Sequence, residues 1–317
     1  MHFSIIIPLY NKAPYVAKAI NSVLAQAFTD YELIVMDDGS KDDSFEIAKR
    51  AIENHGNCHL YRQKNAGVSV ARNNGVALSQ GRYLCFLDAD DWWEPNFLEE
   101  MSKLVKEFPE AGIYGSNYII VNESKRKTRV SPIGVESGFE KGYINYCQVY
   151  AKTLAMPLWT GAVCIPRPVF DEMKGFPKGI KLGEDFLLWI RIALKYKVAF
   201  LNKPLAYYNQ DVEVANKGVY SKGYDPDSFM TFHFGQFAEE EKRNADLKLL
   251  LDRIRVYTLL RFVDRKDFRN MVKTEIDKVD FSHVDKKYKF YYKAPHLMVL
   301  SYLKVTALLL KIKHLMK

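Results

Sequence analysis

The sequence has little cysteine: four residues in 317, at positions 58, 85, 147 and 164, with no C-x-x-C pair among them. That scatter excludes a disulfide framework and a cysteine-built structural zinc site, and it suits a reducing compartment. There is no low-complexity tract and no internal repeat. No apolar stretch runs uninterrupted for ~20 residues, so no transmembrane helix is expected. No basic leader precedes the first apolar run, and "MHFSIIIPLYN" reads as a first strand, not a signal peptide. The first loop, "PLYNKAPY", lacks the glycines of a phosphate-binding loop. Acidic residues are absent from Lys286 to Lys317, a stretch that holds eight lysines.

At 48% hydrophobic and 26% charged, the chain is globular, with ample material for a core. Its net charge of +8 is unevenly placed. From Asp227 onward nineteen Lys and Arg face twelve Asp and Glu, so +7 of the +8 lies there. A basic end can meet nucleic acid, a membrane surface or an acidic partner. No nucleic-acid reading motif accompanies it, and none of that binding is expected. In the last segment, Ser301, Lys304, Lys311 and His314 share one narrow helical stripe. An interfacial helix on anionic lipid and a helix packed on the rest of the chain with snorkelling lysines both fit.

The first 120 residues alternate strand-like and helix-like segments. "FSIIIPLY" and "ELIVMD" are near-continuous apolar runs, as strands covered on both faces require. Between them Val16, Ala19, Ile20, Val23, Leu24 and Ala27 mark one face of a helix. Ser40, followed by Asp43, reads as an N-cap for "SFEIAKRAI". "HLYRQ", "RYLCFLD" and "GIYGSNYII" read as further strands, and "VSVARNNGVAL" and "NFLEEMSKLVKEF" as helices. Repeated strand–helix–strand units predict a doubly wound, mostly parallel α/β sheet. Later, "DFLLWIRIALKY" is helical, with Phe186, Leu187, Ile190 and Leu194 suitably spaced, and "AFLNKPLAYYNQ" reads as a late pair of strands. After Pro226 the chain turns helical, basic and aromatic. Residues 1–225 and 226–317 are therefore expected to be separate regions.

Two strands end in carboxylates. "YLCFLDADDWWEP" delivers Asp88, Asp90 and Asp91, and "MDDGS" delivers Asp37 and Asp38. In an extended chain Asp88 and Asp90 point the same way and Asp91 the other. Two carboxylates on one side are hard-oxygen ligands for Mg²⁺ or Mn²⁺, whose remaining ligands are waters and substrate phosphates. The plain alternative is a solvated acidic turn in which Asp90 or Asp91 caps the next helix. Strand ends are also where open α/β sheets bind ligands. Tyr10 can lie flat against a base there, and a carboxylate can accept from an imide N–H. Turn chemistry is expected for at least one of Asp37 and Asp38.

"SIIIPLYNKAPYVAKAINSVLAQAF", "ELIVMDDGSKDDS", "NAGVSVARNNGVALSQGRYLCFLDADD" and "GEDFLLWIRI", in that order, resemble a family 2 glycosyltransferase with the GT-A fold. The resemblance covers residues 1–210 and implies a division of labour. Residues 1–120 would hold the metal and the nucleotide sugar, 121–225 the acceptor, and 226–317 would be a basic helical extension.

It further implies that Asp90 faces the metal, with Asp88 near ribose and metal and Ala89 beside the nucleotide sugar. Pro8, Tyr10 and Asp38 would line the nucleobase. Arg72 would lie near the diphosphate or fix the acidic loop by an ion pair. Asp185 would be the general base, with Glu184 positioning the acceptor or supporting Asp185; as bare residues the two equally suit the first turn of a helix. The reaction implied is inverting transfer from a nucleoside-diphosphate sugar, UDP-linked, to a glycan or lipid-linked hydroxyl, as in surface polysaccharide assembly. A cytoplasmic location follows, at most peripheral on the inner face of a membrane. Trp92, Trp93 and Trp159 can stack on sugars or simply pack. The sequence departs from the family where a histidine often follows the last strand: here "YYNQDVEVANK" puts Gln210 nearby, with His233 further on. A nucleotidyltransferase and a non-catalytic sugar-nucleotide-binding protein share parts of this pattern.

Overall fold

The structure is a computed structural model that describes residues 2–122, 124, 126–211, 225–262, 265–294 and 298. It divides into two compact units, Met1–Met230 and Thr231–Lys317.

The first unit opens with β1 (Phe3–Leu9), α1 (Val16–Leu24), β2 (Tyr31–Asp37), α2 (Ser44–Ile52), β3 (Cys58–Arg62), α3 (Val68–Leu78) and β4 (Tyr83–Phe86). Then come β5 (Trp92–Trp93), α4 (Phe97–Glu107), β6 (Ala111–Asn122), β7 (Lys127–Val130), β8 (Lys141–Ile144) and α5 (Tyr146–Thr153). β9 (Val163–Pro166), α6 (Arg167–Glu172), α7 (Glu184–Lys195) and β10 (Lys197–Asn209) complete it. One sheet runs β3-β2-β1-β4-β9-β6-β10-β5, with β7 on β6 and β8 on β10. β3, β2, β1 and β4 are mutually parallel, and so are β6 and β10.

Every residue of β1 and β2 is buried, as their unbroken apolar runs require of strands covered on both faces. α1 buries Val16, Ala19, Ile20 and Val23, the stripe that its spacing predicts. The helix stops at Leu24, so Ala27 lies outside it and is exposed. α2 is not capped by Ser40. Asp42 Oδ1 accepts from Ser44 N at 3.1 Å, and the Ser40 hydroxyl accepts from Asn11 N at 3.1 Å.

Three elements differ from expectation. β9 enters antiparallel between β4 and β6, pairing Cys85 with Cys164 and Tyr114 with Cys164. "AFLNKPLAYYNQ" forms one strand, not two, because register shifts around Leu201, Pro204 and Ala206 accommodate the proline within β10. Trp92 and Trp93, where no strand is expected, pair antiparallel with Tyr207 and Ala206 as β5.

The second unit carries α8 (Ala238–Arg243), α9 (Ala245–Thr258), α10 (Arg269–Ile276) and α11 (Lys286–Lys293). Its core holds a buried Arg255, which meets Glu241 at 2.5 Å and Glu275 at 3.2 Å. The expected amphipathic stripe from Ser301 to His314 lies outside the described residues. Among the described residues no helix is long and apolar enough to cross a membrane.

Candidate active site

The acidic loop begins where β4 ends. The chain there is a turn, closed by Asp91 N donating to Asp88 O at 3.0 Å. Strand alternation therefore does not place Asp88, Asp90 and Asp91. Each meets a different partner instead. Asp88 Oδ1 accepts from Arg72 Nη2 at 2.6 Å, and Asp90 Oδ2 accepts from Lys12 Nζ at 2.6 Å. Asp91 does not cap α4, which starts six residues later. Its Oδ1 accepts from Asn209 N at 2.8 Å and its Oδ2 from Trp159 Nε1 at 3.3 Å. Burial, with the neighbouring charges of Asp90 and Asp88, holds the Asp91 carboxyl well above the usual carboxylate range. Asp90 is also raised, by burial first, with Lys12 opposing.

Glu184 and Asp185 open α7, directly after Gly183 in a left-handed conformation at φ +83°. A Cβ at Gly183 would stand 2.1 Å from Met230 Sδ. Met230 is anchored there because its N–H donates to Leu182 O at 3.1 Å. Glu184 Oε1 accepts from Arg72 Nη1 at 2.8 Å. Arg72 thus joins the end of β4 to the start of α7, with its guanidinium 5.0 Å over the Phe176 ring. Burial and the charge of Asp185 push the Glu184 carboxyl up to about 7 against the pull of Arg72. Asp185 is raised by burial too, while the Thr160 hydroxyl at 2.8 Å from Oδ2 and Phe186 N at 2.7 Å from Oδ1 oppose the shift.

The nucleobase candidates lie at the ends of β1 and β2. Pro8 is buried inside β1, and Tyr10, just past it, is 41% exposed. Asp38 accepts from Gln63 Nε2, Ala66 N and Gly67 N, each at 2.8 Å, and so holds the loop that starts α3. Asp37 is turn chemistry: buried, it accepts from Ser40 N at 3.2 Å and pairs with Arg62 at 2.9 Å. Ala89 is buried in the acidic turn. Trp93, 3% exposed and stacked on Phe97, is core and offers no sugar a face. Trp92 stacks on Tyr207 with Lys18 Nζ 3.0 Å from its ring centre, and Trp159 packs on Tyr208 at 4.2 Å. Gln210 N donates to Val121 O at 2.8 Å beyond β10, and His233 belongs to the second unit.

Lys12 and Thr160 are site residues that pattern reading misses. Both act through tertiary contacts, and neither stands in a periodic segment or a charge cluster.

One oxygen of Asp88 and one of Asp90 is held by a cation; the other oxygen of each carries no ion pair among the described residues. Two hard carboxylates on one turn fit Mg²⁺ or Mn²⁺ when substrate phosphates and waters complete the shell. Among the described residues no cluster of three or more His, Cys, Asp or Glu side chains forms a cation site.

Residues 4–172 match the family model described as glycosyl transferase family 2. Glycosyltransferase GlyA of Streptococcus pneumoniae serotype 4 is 35% identical over 213 residues, 65% of this chain and 30% of that protein. Escherichia coli chondroitin synthase is 37% identical over 121 residues, 38% of this chain and 18% of that one. The chain spans about a third of the length of the first curated relatives it matches. Among solved structures, S. aureus TarS 1-349 in complex with UDP-GlcNAc superposes with a TM-score of 0.74 at 19% identity, over 96% of this chain and 92% of that one. Mannosyltransferase PcManGT of Pyrobaculum calidifontis, in complex with GDP-Man and Mn²⁺, gives 0.54 at 17% identity over 97% and 79%. The fold is that of these GT-A enzymes, and the chain belongs to glycosyl transferase family 2.

Proposed function

We propose that this protein transfers a sugar from a nucleoside-diphosphate sugar, UDP-linked, to a saccharide or lipid-linked hydroxyl, inverting the anomeric carbon. The observation that carries the proposal is the Arg72 bridge. It brings a carboxylate pair suited to a divalent cation, Asp88 and Asp90, against a second pair suited to base catalysis, Glu184 and Asp185. The UDP-GlcNAc and UDP complexes of TarS support a UDP donor, and the Mn²⁺ complex of PcManGT supports a divalent cation. Chondroitin synthase among the relatives supports a glycan acceptor.

In this reading Asp88 and Asp90 hold the cation, which when bound neutralises charge developing on the leaving diphosphate. Tyr10, Asp38, Pro8 and Ala89 bound the nucleotide at the strand ends. Asp185 accepts the proton of the attacking hydroxyl. Its pKa, raised by burial, makes it a better base than an exposed carboxylate. Glu184, paired with Arg72, ties the start of α7 to the acidic loop. Residues 1–120 serve the donor and 121–225 the acceptor.

A thermal-shift screen of nucleotide sugars, with and without Mn²⁺, tests the donor reading. A UDP-sugar is expected to raise the melting temperature, and Mn²⁺ to enlarge the rise. No shift with any nucleotide sugar would count against it.

A further inference from the structure

We propose that Thr160 is the positioning residue for the base: its hydroxyl fixes the Asp185 carboxylate, from a turn anchored on the acidic loop. The proposal rests on the reading of Asp185 as the base.

Thr160 opens a single 3-10 turn, Thr160–Ala162, between α5 and β9. The turn is tied down on both sides. Trp159, immediately before it, donates from Nε1 to Asp91 Oδ2 at 3.3 Å. Gly161 O accepts from Trp93 Nε1 at 2.6 Å. Both partners belong to the acidic loop and the two-residue strand that follows it. Ala162 N closes the turn onto Trp159 O at 2.8 Å. Thr160 is buried, and its Oγ1 donates to Asp185 Oδ2 at 2.8 Å. The cation-binding loop and the base therefore share one rigid turn. A displacement of the acidic loop would reach Asp185 through two indole hydrogen bonds and one hydroxyl.

Fixing both carboxylate oxygens matters because a base must meet the acceptor proton within about 2.6–3.2 Å. Phe186 N holds Oδ1, but that bond lies within the start of α7 and moves with the helix. Thr160 supplies the contact from a different element. The charged or titratable groups around Asp185 are Glu184 on α7, Arg72 on α3, Asp88 in the acidic loop, Tyr118 on β6 and Tyr146 on α5. The Thr160 hydroxyl and the Arg72 guanidinium both favour its charged form. Removing the hydroxyl therefore leaves Asp185 protonated to higher pH.

The test compares wild type, Thr160→Val, Thr160→Ser and Asp185→Asn. Nucleoside diphosphate release from UDP-N-acetylglucosamine with Mn²⁺ is followed against pH, and the Asp185 carboxyl is titrated by difference infrared spectroscopy, assigned with Asp185→Asn. Thr160→Val is expected to lower kcat about tenfold at unchanged donor KM, because the base loses its fixed orientation toward the acceptor proton even as its basicity rises. It should also move both the acid limb of kcat and the infrared midpoint to higher pH, and Thr160→Ser should restore both. An unmoved infrared midpoint in Thr160→Val, or no rescue by serine, would overturn the proposal. If Asp185→Asn keeps transfer, the base assignment itself fails. If Asp185→Asn is inactive while Thr160→Val behaves as wild type, only the role of Thr160 fails.

Discussion

Lys12 Nζ lies 2.6 Å from Asp90 Oδ2, on the carboxylate proposed to face the metal. The lysine is held in place by its backbone: Lys12 N donates to Ser44 Oγ at 2.7 Å and Ala13 N to Asp42 Oδ2 at 3.1 Å. Before it, Asn11 takes a left-handed φ of 51°. An ammonium and a divalent cation then compete for one carboxylate. Lys12→Met is expected to tighten Mn²⁺ binding to the donor-free protein by about tenfold or more, since a unit charge within a few ångströms is worth over 1 kcal/mol at a partly buried site. Electron paramagnetic resonance titration of free Mn²⁺ measures this. Weaker or unchanged binding would contradict the competition.

Arg72 is the hub of three other carboxylates, bonding Asp88 and Glu184 directly and lying near Asp185. Arg72→Met leaves two carboxylates at the site without their cation. It should cost about 3–5 kcal/mol, the usual loss on breaking a buried pair from one side. Arg72→Lys should recover only part, because a lysine cannot fork across both partners. Urea midpoints at constant slope report the loss.

Gly183 sets the entry of α7. Gly183→Ala places a Cβ against Met230 and demands a left-handed backbone from an L side chain, which costs about 1–2 kcal/mol before any clash. The melting temperature and kcat should both fall. Gly183→Ala with Met230→Ala should regain the part due to the clash and keep the part due to backbone. A fully restored double variant would show that φ is not limiting.

The raised carboxyls set a pH dependence of stability. Glu184 binds its proton more tightly folded, at about 7, than at its ordinary value of 4.5. Its contribution is complete below pH 4.5 and is lost as pH rises to about 7. Asp185, Asp90 and Asp91 shift in the same direction, while Glu32 and Glu241 are shifted down and titrate below that window. Stability should therefore decline between about pH 4.5 and 7, and the decline should be shallower in Glu184→Gln. Denaturation curves at half-unit pH steps test the slope.

Much of this was legible from residues alone, for reasons that differ by element. β1 and β2 declare themselves because buried parallel strands must be apolar throughout, and α1 because its buried positions follow the helical period. β5 is two residues long and β9 four, too short for any period to show. Asp91 resembled a helix cap because its partners, Asn209 and Trp159, are 118 and 68 residues away. Lys12 and Thr160 escaped for the same reason: their meaning lies in what the fold brings to them.

In the proposed reaction the acidic loop and the start of α7 form one transfer site. The most direct measurement is transfer by purified Asp185→Asn beside wild type, with the donor saturating and its binding checked by thermal shift. Intact donor binding is expected, with transfer reduced by at least about a hundredfold, the lower range for losing a general base. Donor binding with undiminished transfer would contradict it.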